Sequence, residues 1–130
     1  MYLVDTDIVV SYLNGRADAV VLVNALLPAG LAISVITFGE ICEGIYFGRD
    51  PARHMAGFRG FLRGVRVFDV NRTIARQFGR LRGTLRQQGQ LLPAPDMLIG
   101  ATALAYDLTL VTRNLRHFQR IPGLRLHQVP

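Results

Sequence analysis

A chain of 130 residues, half of them apolar and with a formal net charge of +6, is sized for a single domain (1–130) with a real core; disorder is excluded. Its longest apolar runs, such as Met97 to Tyr106, reach about half of the roughly 20 residues a membrane span needs. All fifteen basic residues are arginines, so a P-loop and lysine Schiff-base chemistry are excluded.

Tyr2 to Val4 reads as a first strand, running into Asp5-Thr6-Asp7 and a short helix that Asn14-Gly15 breaks after Leu13. Ala19 to Leu27 is dense enough in apolar residues for a packed helix, stopped by Pro28-Ala29-Gly30. Leu31 to Val35 is short and apolar, a second buried strand. Thr37 is expected to cap a helix that ends near Gly48. Its Cys42 has no partner for a disulfide, suits a reducing cytoplasm and reads as a small core residue.

From Pro51 to Leu62, Met55, Phe58 and Leu62 recur at helical spacing; Val65 to Val70 supplies a third strand. Asn71 caps the next helix, where Ile74, Phe78, Leu81 and Leu85 form one apolar stripe opposite Arg72, Arg76, Arg80, Arg82 and Arg86. Ten of the fifteen arginines fall between Arg49 and Arg86. Guanidinium forks grip phosphate, so this stretch could hold nucleic acid, or else form a solvated face or dock an acidic protein. A polar loop from Gln87 to Pro95 leads to an apolar helix from Asp96 to Ala105, then a fourth strand, Leu108 to Val111. Thr112-Arg113-Asn114 and a helical turn to Phe118 follow, and Leu124 to Leu126 adds an edge strand. Strands alternating with helices imply an α/β three-layer sandwich around a mostly parallel sheet of four to five strands. No basic-then-apolar opening marks a secretory signal, which is consistent with a cytoplasmic protein.

Only nine residues are acidic, and Asp5, Glu40 and Asp96 stand where a metal site needs them. In such folds ligands bind beyond the carboxyl ends of the strands, where the strand order reverses. Asp5 follows the first strand, Asn114 the fourth, and Glu40 and Asp96 begin helices. Carboxylates crowded together repel one another, and a cation among them relieves this. Hard oxygen donors select Mg²⁺ or Mn²⁺, which acidifies a water that can attack phosphorus. Asp7 and Glu43 read as supporting groups, Glu43 sharing a helix face with Glu40. His54, His117 and His127 lack zinc-ligand spacing.

These segments, Tyr2-Leu3-Val4-Asp5-Thr6-Asp7, Ile36 to Ile45, Pro95-Asp96 and Leu110 to Phe118, resemble those of PIN-domain ribonucleases. The likeness is greatest to the VapC toxins of bacterial type II toxin–antitoxin pairs. The resemblance implies an α/β/α sandwich, a Mg²⁺-dependent endoribonuclease, a homodimer, and inhibition by a cognate antitoxin lying across the active-site groove. Asp5, Glu40 and Asp96 match the family's first three acidic positions; Asn114 stands at its last motif, and His117 replaces a residue that is often acidic. The loss of negative charge bears on a second metal more than on one Mg²⁺ held by Asp5 and Asp96. In this reading Glu40 orients or deprotonates the attacking water, and Asn114 fixes a water or the scissile phosphate. Arg113 and Arg116 grip the RNA, and Thr6, Asp7, Glu43 and Thr112 support the site. Two other readings stay open: a binding protein that holds RNA or an antitoxin without turnover, and a haloacid-dehalogenase-like phosphatase using Asp5 as nucleophile.

Overall fold

The computed structural model describes residues 1–129. Five strands form one parallel sheet: β1 (Tyr2–Val4), β2 (Leu31–Ser34), β3 (Val65–Phe68), β4 (Thr109–Val111) and β5 (Leu126–His127), in the order β3-β2-β1-β4-β5. Among the described residues, seven α-helices and a short 3-10 turn (Leu27–Ala29) complete it: α1 (Thr6–Leu13), α2 (Ala17–Leu26), α3 (Val35–Tyr46), α4 (Pro51–Leu62), α5 (Arg72–Gln87), α6 (Ala94–Ala105) and α7 (Leu115–Phe118). Among the described residues, no helix is long and apolar enough to cross a membrane.

Side chains along a strand alternate between faces, and here the alternation divides the core in two. Val4, Leu31, Ile33 and Val111 pack with Ile8, Val23, Ile41, Phe58 and Phe61 of α1 to α4. Leu3, Ala32 and Leu110 pack with Leu81, Leu85, Met97, Ile99 and Phe118 of α5 to α7. The expected three-layer sandwich is therefore present, with a sheet parallel throughout.

Several boundaries differ from the sequence reading. Thr37 does not cap α3: β2 passes straight into the helix, and Ser34 accepts the Ile36 N–H at 3.0 Å. Thr37 lies one turn inside, fully buried. Helix α6 begins at Ala94 rather than Asp96, because Pro95 falls in the first turn, where its missing N–H costs nothing. Helix α2 starts two residues early, β3 stops at Phe68, and β5 lies at Leu126–His127 rather than Leu124–Leu126. Asn71 does cap α5, accepting the Ile74 N–H at 3.0 Å.

Candidate active site at the carboxyl edge of the sheet

The strand order turns at β1, whose neighbours are β2 on one side and β4 on the other. Asp5 leaves β1, and Thr112-Arg113-Asn114 leave β4, at this edge. The Asp5 N–H donates to the Val111 carbonyl at 2.9 Å, extending the ladder one residue and fixing where the side chain emerges. Asp5 is the only buried carboxylate among the described residues, 6% exposed. Its Oδ1 accepts the Thr6 N–H at 2.8 Å, capping α1, and its Oδ2 accepts the Thr112 hydroxyl at 2.7 Å. Thr112 in turn accepts the Asn114 N–H at 2.9 Å. A chain of three hydrogen bonds thus locks the end of β1 to the end of β4.

Glu40 reaches the same edge from α3. The Thr6 hydroxyl donates to Glu40 Oε1 at 2.7 Å, and the Thr37 hydroxyl lies 3.0 Å from Thr6 Oγ1. Thr6 has one proton and gives it to Glu40, so Thr37 donates to Thr6. The carboxylate of Glu40 is held by one oxygen while the residue stays exposed. Asp7 accepts the Ile8 N–H and, through its other oxygen, the Arg113 N–H at 3.0 Å. It braces the loop after β4.

Asp96 and Asn114 meet through His117, whose contact with both the sequence did not predict. His117 Nδ1 lies 2.6 Å from Asp96 Oδ2 and 2.9 Å from Asn114 Nδ2. A signal was available: residues three apart at the start of a helix share a face, and Asn114 and His117 have that spacing. Arg113 is placed otherwise than expected. Its guanidinium donates to Ser11 at 3.1 Å and pairs with Asp18 at 2.9 Å, so it ties the loop to α1 and α2. The Ala19 N–H, and then Arg113, hold the Asp18 carboxyl below the usual carboxylate range. Arg116 is exposed and forms no ion pair among the described residues. Glu43 is exposed too and makes no bond to Glu40 or to an arginine among them. It stands outside the cluster, on the lip of a shallow recess with Phe47.

Burial, opposed by the Thr112 hydroxyl and the Thr6 N–H and reinforced by the charges of Asp7 and Asp96, pushes the Asp5 carboxyl up to about 6. A carboxylate strained by burial and by like charges is what a divalent cation relieves. No three His, Cys, Asp or Glu side chains are preset as a cage among the described residues. Mg²⁺ needs none, since one or two carboxylates and several waters suffice. The oxygen donors of Asp5 and Asp96 fit such an ion. Beside the cluster, α1, α3 and α4 enclose an open groove of about 650 Å³, floored by Val10, Leu13, Ile41 and Ile45 and edged by Glu40, Arg49, Arg53 and His54. Only Glu40 belongs to both; Asp5 and Asp96 do not line the groove.

Comparison with known proteins identifies the family. The PIN domain profile matches residues 2–124. A Ribonuclease VapC2 of Haemophilus influenzae is 34% identical over 125 residues, 95% of this chain and 94% of that one. The tRNA(fMet)-specific endonuclease VapC of Shigella flexneri is 29% identical over 124 residues, 95% of this chain and 94% of the relative. Among solved structures, VapBC2 of Rickettsia felis bound to a DNA fragment from its promoter superposes with a TM-score of 0.90 at 29% identity, covering 97% of this chain and 96% of that one. With its fold and nearly its whole length matched, this chain belongs to the PIN-domain family.

Proposed function

We propose that the chain is an endoribonuclease toxin of the VapC type, dependent on a divalent metal, with Mg²⁺ as the working ion and Mn²⁺ able to replace it. The observation that carries this reading is the buried Asp5, coupled in charge to Asp96 at the strand-order switch. The family excludes the phosphatase alternative, in which Asp5 would attack phosphorus itself.

When bound, the cation supplies charge stabilisation at the phosphate and a more acidic water. The rest falls to side chains. Asp5 and Asp96 would hold the ion, with Asp5 oriented by Thr112 and by the Thr6 N–H. Glu40 keeps one oxygen free of Thr6 and takes the proton of the attacking water. Asn114, its backbone fixed by Thr112, presents its amide to the scissile phosphate. Arg116 supplies the phosphate grip; Arg113 supports the site by holding the loop against α1.

The groove beside Glu40 suits a cognate antitoxin segment with apolar side chains for its floor and an acidic residue for Arg49 and Arg53. Such a segment would cover Glu40 and stop cleavage. RNA substrate and antitoxin place the protein in the cytoplasm, as a homodimer by resemblance to its family. Because a relative carries the name of a tRNA(fMet)-specific endonuclease, tRNA is the first substrate to try.

The test is cleavage of total tRNA and of rRNA fragments by the wild type and by Asp96→Asn, with Mg²⁺, Mn²⁺ or EDTA. Discrete cuts that need the metal and vanish in the variant are expected. RNA shifted in a gel yet left intact by the wild type would sink turnover and leave an RNA-binding protein, the reading favoured by the contact of His117 with Asp96.

A further inference from the structure

His117 sits at a point where three polar side chains meet and cannot all be satisfied as they stand. Its Nδ1 faces both the Asp96 carboxylate, at 2.6 Å, and the Asn114 amide nitrogen, at 2.9 Å. A ring nitrogen carries either a proton or a lone pair. With the proton, Nδ1 serves Asp96 and opposes the amide N–H with a second donor. With the lone pair, it accepts from Asn114 and opposes the carboxylate with a second acceptor. A half-turn of the amide removes the first conflict, because Asn114 Oδ1 and Asp96 Oδ2 can then share the one proton. That arrangement surrounds a single proton with a carboxylate oxygen, an imidazole nitrogen and an amide oxygen. All three are metal ligands once the proton leaves.

The scaffold around these groups is built. Asn114 is pinned by its N–H to Thr112 and by its carbonyl, which accepts the Phe118 N–H that starts α7. Phe118 is fully buried, so α7 and the ring of His117 have little freedom to drift. Asp96 projects from the first turn of α6, and α6 packs against α7 through Gly100, beside the side chains of Phe118 and Ile121.

We propose that His117 and Asn114 complete the Asp96 half of the metal centre, and that the imidazole shifts its preference from Mg²⁺ towards cations that accept nitrogen more readily, Mn²⁺ among them. This rests on the metal-dependent reading above. Mg²⁺ favours oxygen throughout its shell, whereas imidazole suits the transition metals. Where the family often carries an acidic residue, this chain exchanges a negative charge for a softer donor. The rival account is that His117 merely orients Asp96 by a hydrogen bond and touches no metal.

The test uses full-length protein stripped with EDTA and titrated calorimetrically with Mn²⁺ and with Mg²⁺. Pulsed electron paramagnetic resonance of the Mn²⁺ complex then reads any ¹⁴N coupling from a directly bound imidazole. The wild type is expected to show that coupling. His117→Asp and His117→Ala should lose it, and His54→Ala should keep it. In His117→Asp, the ratio of Mn²⁺ to Mg²⁺ affinity should fall at least about tenfold, the low end of what a lost group around a metal costs. The aspartate variant guards against a fold defect in the alanine one, since circular dichroism and melting can be matched to the wild type. No nitrogen coupling in a wild type that binds Mn²⁺ overturns the proposal. So does an affinity ratio unchanged in both His117 variants. If Asp5→Asn abolishes binding in either case, the metal-dependent reading survives alone. No binding of either ion by the wild type overturns both.

Discussion

Asp5 concentrates the chemistry and its cost in one side chain. Its carboxyl titrates near 3.8 when unfolded and at about 6 in the native protein. Below pH 3.8 both states hold the proton and no penalty arises. Between pH 3.8 and 6 the unfolded chain ionises first, so stability is lost as pH rises, reaching about 3 kcal/mol above pH 6. Asn at position 5 cannot ionise. In EDTA, the stability of Asp5→Asn relative to the wild type should therefore rise by about 3 kcal/mol between pH 3.5 and pH 7, read from urea midpoints. A difference that stays flat with pH would remove the burial argument. Saturating metal should nearly close that gap. At a hundred times its dissociation constant a ligand stabilises by about 2.7 kcal/mol, a gain expected for the wild type and not for a variant that has lost the carboxylate. Cleavage should be abolished in that variant throughout. Asp5 could be picked out from its place after an apolar strand; its raised titration could not, because that depends on burial and on Asp7 and Asp96 arriving from elsewhere. The pairing of His117 could not be read for the same reason: its partner Asp96 lies twenty-one residues away in sequence.

Elements built on strong local patterns could be read directly, and those set by tertiary packing could not. The stripe Ile74, Phe78, Leu81, Leu85 and the cap Asn71 marked α5, and both are present. Asn71 also donates to the Tyr106 hydroxyl at 2.6 Å, joining the start of α5 to the end of α6. Asn71→Ala removes a cap and that link; the cap alone is worth about 1 kcal/mol. A fall of 1 to 2 kcal/mol in urea denaturation is expected, with cleavage unchanged, because Tyr106 lies at the far end of α6 from Asp96. A loss of cleavage with stability intact would mean that α5 positions the site more closely than the geometry implies. The start of α3 was harder to see. Ser34 ends a wholly buried strand and caps the helix in the same residue, while Thr37, a better cap by its position before Glu40, is drawn inside to serve Thr6. The function of Thr37 won over its capping propensity. In α6 the two prolines suggested a loop, yet both are tolerated where the N–H groups have no helical partner.

Across the molecule, negative charge gathers at one sheet edge and positive charge spreads over the helices. None of the ten arginines between Arg49 and Arg86 forms an ion pair among the described residues. Arg72, Arg76, Arg80 and Arg86 are exposed on α5. That helix packs along α6, whose first turn carries Asp96. The loop from Gln88 to Pro93 joins the end of α5 to the start of α6, so Arg86 stands towards the site and Arg72 away from it. A strip of this kind can hold an RNA backbone while its scissile bond lies at Asp96. Each phosphate neutralised on a single strand adds about 0.7 to the slope of log affinity against log salt. Binding by the cleavage-dead Asp96→Asn protein should therefore weaken steeply with salt. Adding Arg76→Gln and Arg80→Gln should lower the slope by about 1.4 for a single-stranded target, with no change in the melting temperature beyond about 2 °C, since both side chains are solvated. Fluorescence anisotropy at four salt concentrations decides it. An unchanged slope would take α5 out of the RNA interface and move the phosphate path to Arg116 and the arginines edging the groove, where RNA and antitoxin would then compete for one surface.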